Sequence, residues 1–303
     1  MKFVIILMIF FFSKAALSKE SIELLIASGP GGSVHRYALQ IQPILENALN
    51  KNVVLNFKPG GNGIIAAREL MNTPPGKTSL MIGNFNTPDV WKENLKEHQM
   101  IDVRKDIKPV AFLGTIPSMV YSRPNENFKD FRQALDYGKK QKLTMALAAN
   151  TPNVKLMKDV IQKHSDSQLF ITVPFKTGSL GLLSVLGEHV DTGVTVIDVL
   201  LPEIKNNRIT PLALIYPSRL KEFLEVPTLR EIGITVDNED RYYNNFFLWS
   251  NSTASNDLLN KVKDALFNFL TDKKSEEFRN SLYIQFGKNN IKNPEKYMEE
   301  LLK

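Results

Sequence analysis

Two rhythms alternate along the chain. Ile22-Glu23-Leu24-Leu25-Ile26-Ala27 is a short apolar run of strand length, and after it Val34, Ala38, Ile41, Leu45 and Leu49 recur at helix spacing. Ser33 is the expected N-cap of that helix, and Pro43 inside it is expected to kink it. Val53 to Phe57 reads as a second strand, a helix follows through Leu70, and Leu80-Met81-Ile82 reads as a third strand. The order β-α-β-α-β with short connections predicts a mostly parallel, doubly wound sheet flanked by helices.

The same rhythm restarts later. Leu143 to Ala149 is strand-like, Asn150 to Asn153 a turn, Val154 to Lys163 helical and Phe170 to Phe175 a strand. Lys176-Thr177-Gly178-Ser179 then opens a helix ending near Gly187, before a strand at Val190 to Val196. Two α/β units therefore flank a connecting stretch around Ile116 to Pro124. Helices near Asn256–Leu270 and Lys274–Leu282 are expected to pack back on the first unit. Leu212–Tyr216 and Phe246–Ser250 both suit the return crossing, and the second is taken. The expected organisation is a signal peptide over 1–18, a discontinuous first domain over 19–120 and 246–303, and a second domain over 121–245. The ligand cleft is expected between the two domains.

Composition changes this picture at the N-terminus. Lys2 gives a positive start, Phe3 to Phe12 is unbroken apolar sequence, and Ala16-Leu17-Ser18 offers a small-x-small cleavage site. The apolar run falls short of the ~20 residues a membrane span needs, so it predicts a cleavable export signal. No Cys follows the run, which argues against a lipoprotein anchor. The chain contains no cysteine at all, so in an exported protein no disulfide framework supports it. Net charge is +6, and removing Lys2 and Lys14 with the signal leaves +4 (6 − 2). The basic residues form no stripe interleaved with aromatics, which argues against a nucleic-acid partner.

Candidate chemistry lies in the loops. In open α/β sheets ligands bind beyond the carboxyl ends of the strands, where helix N-termini point. Four loops take that place: Gly31–Ser33, Asn84–Thr87, Asn150–Asn153 and Thr177–Ser179. All are rich in Gly, Ser, Thr and Asn, whose exposed N–H groups and adjoining helix dipoles suit an anion. Gly29-Pro30-Gly31-Gly32-Ser33 lacks the Gly-Lys-Ser/Thr of a P-loop and does not match G-x-G-x-x-G. His35, His98, His164 and His189 are not spaced as zinc ligands, so no metal or other cofactor is expected. A hydrolase using Ser33 and His35 is the enzymatic alternative, but no G-x-S-x-G elbow is present.

These segments resemble one family. Pro30-Gly31-Gly32, Lys58-Pro59-Gly60-Gly61-Asn62-Gly63, Leu80-Met81-Ile82-Gly83 and Asp106-Ile107-Lys108-Pro109-Val110 occur in order. Val173-Pro174-Phe175-Lys176-Thr177-Gly178-Ser179 and Val226-Pro227-Thr228-Leu229-Arg230-Glu231-Ile232-Gly233 continue the series. The set is similar to the extracytoplasmic solute receptors of tripartite tricarboxylate transporters, the Bug family. The resemblance implies a two-domain, type II periplasmic-binding-protein fold and a periplasmic, monomeric, non-enzymatic receptor for a small organic acid. Its implied partners are a large and a small membrane subunit, with a signalling partner as the alternative. By position, Gly31, Gly32, Ser33, Asn84, Asn86 and Thr87 would form one wall. Asn150, Thr151, Asn153, Thr177, Gly178 and Ser179 would form the other. Two carboxylates usual in the family are replaced here by His35 and Thr195, both near the pocket. That replacement implies a less negative pocket and a more anionic ligand.

Overall fold

The computed structural model describes residues 20–84, 106–148, 151–164, 170–235, 242–282, 284–285 and 293–301. The segment read as a signal peptide lies outside them, as do Asn86, Thr87 and Asn150.

In the first half, β1 (Ser21–Ile26) leads into α1 (Ser33–Leu49), β2 (Asn52–Phe57), α2 (Ile64–Met71) and β3 (Ser79–Asn84). β1 pairs in parallel with β2 on one side and β3 on the other. The second half repeats the arrangement after α3 (Phe131–Gly138). Here β6 (Leu143–Ala148) leads into α4 (Pro152–His164), β7 (Phe170–Phe175), α5 (Gly178–Leu186) and β8 (Thr192–Val196). β6 pairs in parallel with both β7 and β8. The doubly wound trios expected from the sequence are thus present in each lobe.

The remaining strands tie the lobes together. β4 (Ile107–Ile116) and β10 (Asn244–Asn251) complete the first sheet in the order β2-β1-β3-β10-β4, among the described residues. β5 (Ser118–Ser122) and β9 (Thr210–Ile215) complete the second in the order β7-β6-β8-β5-β9. β10 runs antiparallel to β3 and β4, and β5 runs antiparallel to β8 and β9. Four strands of each sheet therefore share one direction. The odd strand is reached from the other lobe, from β4 into β5 across Pro117 and from β9 into β10 by way of residues 216–243. The stretch around Ile116 to Pro124 is a strand rather than a plain connector. Its near-continuous apolar run has no alternation because β5 is buried on both faces.

Each lobe has its own core. Leu24, Ile26, Tyr37, Ile41 and Leu45 pack with Leu248 and with Val262 and Leu266 of α7 (Asn256–Thr271). The C-terminal helices thus return to the first sheet. On that sheet's opposite face, Phe112, Phe247 and Trp249 pack with Ala66, Leu70 and, from α9 (Pro294–Leu301), Tyr297. α8 (Glu276–Ser281) lies between α7 and α9 in the chain. The second lobe encloses Phe131, Met145, Met157 and Phe170 on one face of its sheet, and Met119, Tyr121, Val185 and Leu200 on the other.

One local expectation is corrected. Gly32, not Ser33, occupies the N-cap of α1, in an extended conformation and without a side-chain cap. Ser33 is already helical, and its hydroxyl is used elsewhere.

Candidate functional site

The carboxyl ends of β1, β2, β6, β7 and β8 open onto one cleft of about 750 Å³ between the two sheets. The first lobe contributes Ala27 to Val34, Pro59, Gly60 and Gly63, and β10 adds Asn244 and Phe246. The second contributes Ala148, Thr151, Asn153, Lys176 to Ser179, Val194 to Val196, and Val199 from α6 (Ile197–Lys205).

The walls are largely the starts of helices. Ser33 and Val34 begin α1, Gly63 caps α2, Asn153 lies in the first turn of α4, Gly178 and Ser179 begin α5, and Val196 caps α6. The first four N–H groups of a helix have no intrahelical carbonyl partner, and the dipole adds positive potential there. Five helix N-termini converging on one space favour a bound anion. Lys176 is the one charged residue lining the space among the described residues. The rest of the wall is apolar at Val34, Ala148, Val194, Val199 and Phe246.

Local chemistry explains these turns. Gly31 has φ +86° and Gly60 φ +119°, backbone conformations that a side chain strains. The Gly31 N–H donates to His35 Nδ1 at 3.0 Å, closing the first loop on its own helix. The His35 ring stands edge-on to Phe57, with centroids 4.9 Å apart. His35 therefore braces the loop from outside the lining residues. Thr177 caps α5 by accepting from Leu180 N at 3.2 Å.

Beneath the cleft, Asn153 and Asn244 both donate through Nδ2 to Ser118 Oγ, at 3.0 and 2.5 Å. Asn153 is buried, and its Oδ1 has no partner among the described residues. One end of this amide is held by Ser118, at the start of the strand that crosses between lobes.

Asp198 adds a group that position-by-position comparison did not include. Its Oδ2 accepts from Ser33 Oγ at 2.8 Å and from the Arg36 guanidinium. Burial lowers the pKa of Arg36 below its usual range. A carboxylate thus stands one hydrogen bond behind the wall. The Ser33 hydroxyl donates a hydrogen bond to Asp198, and His35 Nδ1 accepts from the Gly31 backbone, so neither contact pairs Ser33 with His35.

Of the residues singled out in the sequence, Gly31, Gly32, Ser33, Thr151, Asn153, Thr177, Gly178, Ser179 and Thr195 stand on this one cleft. Asn84 ends β3 in register with Phe246, which lines the cleft. Sequence reading missed Pro59, Gly60 and Gly63, although they follow a strand's carboxyl end as the chosen loops do. It also missed Lys176, which adjoins Thr177. Asn244 and Phe246 arrive on β10, where no local signal marks them.

The family model for the tripartite tricarboxylate transporter family receptor matches residues 37–297. Protein BugT of Bordetella pertussis is 21% identical over 214 residues, 70% of this chain and 65% of its own length. The matches span 62% and 65% of the first two curated relatives' lengths, just under two thirds. Among solved structures, MatC from Rhodopseudomonas palustris with bound malate superposes with a TM-score of 0.76 at 18% identity, covering 93% of this chain and 95% of that one. Rpa4515 of R. palustris with adipate gives 0.76 at 16% identity, over 93% and 94% of the two chains. At such identities the likeness is one of fold.

Proposed function

The chain belongs to the tripartite tricarboxylate transporter receptor family, and on that premise we propose that it is a periplasmic receptor that encloses a small carboxylate between its two lobes. The convergence of five helix N-termini and Lys176 on one cleft carries this reading. An anionic head group receives backbone N–H donors and dipoles, while the apolar residues take the carbon skeleton. The relatives with malate and adipate in this fold are consistent with that division.

The ligand is captured and released unchanged, then passed to the large and small membrane subunits of a secondary transporter. Within the site the assigned residues are Gly31, Gly32, Ser33, Thr151, Asn153, Thr177, Gly178, Ser179 and Thr195, with Lys176 as the charged anchor. Asn84, at the carboxyl end of β3, is kept with this set, and the expected Asn86, Thr87 and Asn150 lie outside the described residues. His35 acts through the Gly31 loop rather than by touching the ligand.

Calorimetric titration of unfolded-and-refolded protein with malate, adipate, citrate, aspartate and benzoate tests the reading. Saturable binding of one or more of these acids, without conversion of the acid over hours, is the expected result. Binding of none, or turnover abolished by Ser33→Ala, defeats it.

A further inference from the structure

α1 and α6 pack on different sheets, and a single carboxylate joins them. Asp198, in the first turn of α6, is buried, with its side chain fully enclosed. Ser33 and Arg36 sit three residues apart on α1, so both reach the same side of that helix. Both donate to the same oxygen, Asp198 Oδ2, from 165 and 162 positions away in the chain. The start of α6 is itself fixed to the crossover between lobes, because Ile197 N donates to Pro117 O at 3.0 Å.

The opposing terms can be identified. Enclosing a carboxylate costs free energy that an ion pair and a hydroxyl donor offset only in part. Asp198 Oδ1 is buried with no partner among the described residues, so part of that cost stands. Separating the lobes would let water reach the enclosed carboxylate oxygens, whereas the Arg36 side chain is already half exposed. The hydroxyl bond and the ion pair exist only while α1 and α6 meet, so they tie the two lobes in one arrangement, and the part of the cost left standing keeps that tie reversible.

We propose that Asp198 is a positioning residue that holds the lobes together through Ser33 and Arg36 before any ligand arrives. It fixes the first turn of α1, a wall of the cleft, against the other lobe. The ligand then enters a cleft whose closed form is already populated. This goes beyond the receptor reading and does not depend on which acid binds.

The chain has no cysteine, so two introduced ones label uniquely. Lys261→Cys on α7 and Lys129→Cys before α3 are exposed positions, one on each lobe. Spin labels there report the distance between lobes in ligand-free protein. A single narrow distribution is expected, shifted or broadened by Asp198→Asn and by Arg36→Gln. The double variant should resemble either single one, since each breaks the same contact. Far-ultraviolet circular dichroism of each variant should match the parent, which separates lobe movement from unfolding. Should Asp198→Asn fail to fold, Arg36→Gln decides alone, because its side chain is 46% exposed. A distribution unchanged by Arg36→Gln, or single effects that simply add in the double variant, overturns the proposal. Failure of all five acids to bind would defeat the receptor reading while leaving this measurement intact.

Discussion

Gly178 and Thr195 pack so tightly that a Cβ on Gly178 would lie 2.8 Å from Thr195 Cβ and overlap Thr195 Oγ1. α5 can begin at the cleft only because position 178 carries no side chain. Gly178→Ala should therefore destabilise the protein by ~1–3 kcal/mol, the usual cost of overpacking. It should also weaken carboxylate binding, since both residues line the cleft. Thr195→Ala in the same background should restore part of the stability. Thermal unfolding of the three variants checks this; a Gly178→Ala midpoint equal to the parent's rules out the steric account.

Lys176 is the lining cation, and its side chain is exposed at the cleft. Lys176→Met should weaken binding of a carboxylate such as malate by roughly fivefold, the factor set by ~1 kcal/mol for an exposed charge interaction. Titration calorimetry at low salt measures it. An unchanged Kd would show that helix N-termini alone hold the anion.

Ser118 is 1% exposed and accepts from the amides of both Asn153 and Asn244. Ser118→Ala removes that shared acceptor and should cost about 1–3 kcal/mol of stability. Because Asn153 lines the cleft, carboxylate affinity should fall as well. Chemical denaturation and titration on one preparation test both halves; full affinity with reduced stability would confine Ser118 to a structural role.

Tyr121 offers the opposite case. Its hydroxyl is buried without a partner among the described residues, and burial pushes its pKa well above the ordinary tyrosine value. Tyr121→Phe deletes an unsatisfied polar atom and keeps the ring, so stability should hold or rise by up to ~1 kcal/mol. A loss of that size would reveal a hydrogen bond the hydroxyl makes.

Thr228 and Glu231 form a reciprocal pair. Glu231 Oε2 accepts from Thr228 N at 2.8 Å, and Thr228 Oγ1 accepts from Glu231 N at 3.2 Å. The Thr228 backbone N–H, and then Arg219, hold the Glu231 carboxyl below its ordinary value of 4.5. A lowered folded-state pKa contributes stability above 4.5 that is lost as pH falls through the folded value. Glu231→Gln should therefore be less stable than the parent at neutral pH, and the gap should narrow on acidification. Parallel curves down to pH 3 would contradict the pairing.

The sequence by itself determined the parts built from near neighbours. Strand runs such as Ile22–Ile26, the helical spacing of Val34 to Leu49, and the Gly/Ser/Thr loops after the strands all follow from interactions spanning a few residues. Those signals sufficed for the parallel trio in each lobe, and for eight loop residues that line the cleft, while Thr195 was named only through the family resemblance. They failed where the determining contacts are remote. β10 is buried along its whole length, so no alternation reveals its neighbours, and only tertiary structure seats it between β3 and β4 with Asn244 and Phe246 on the cleft. Ser33 likewise reads as a helix cap from its neighbours alone. Asp198, 165 residues away, accepts a hydrogen bond from its hydroxyl because the two lobes meet there, a pairing that no local pattern records.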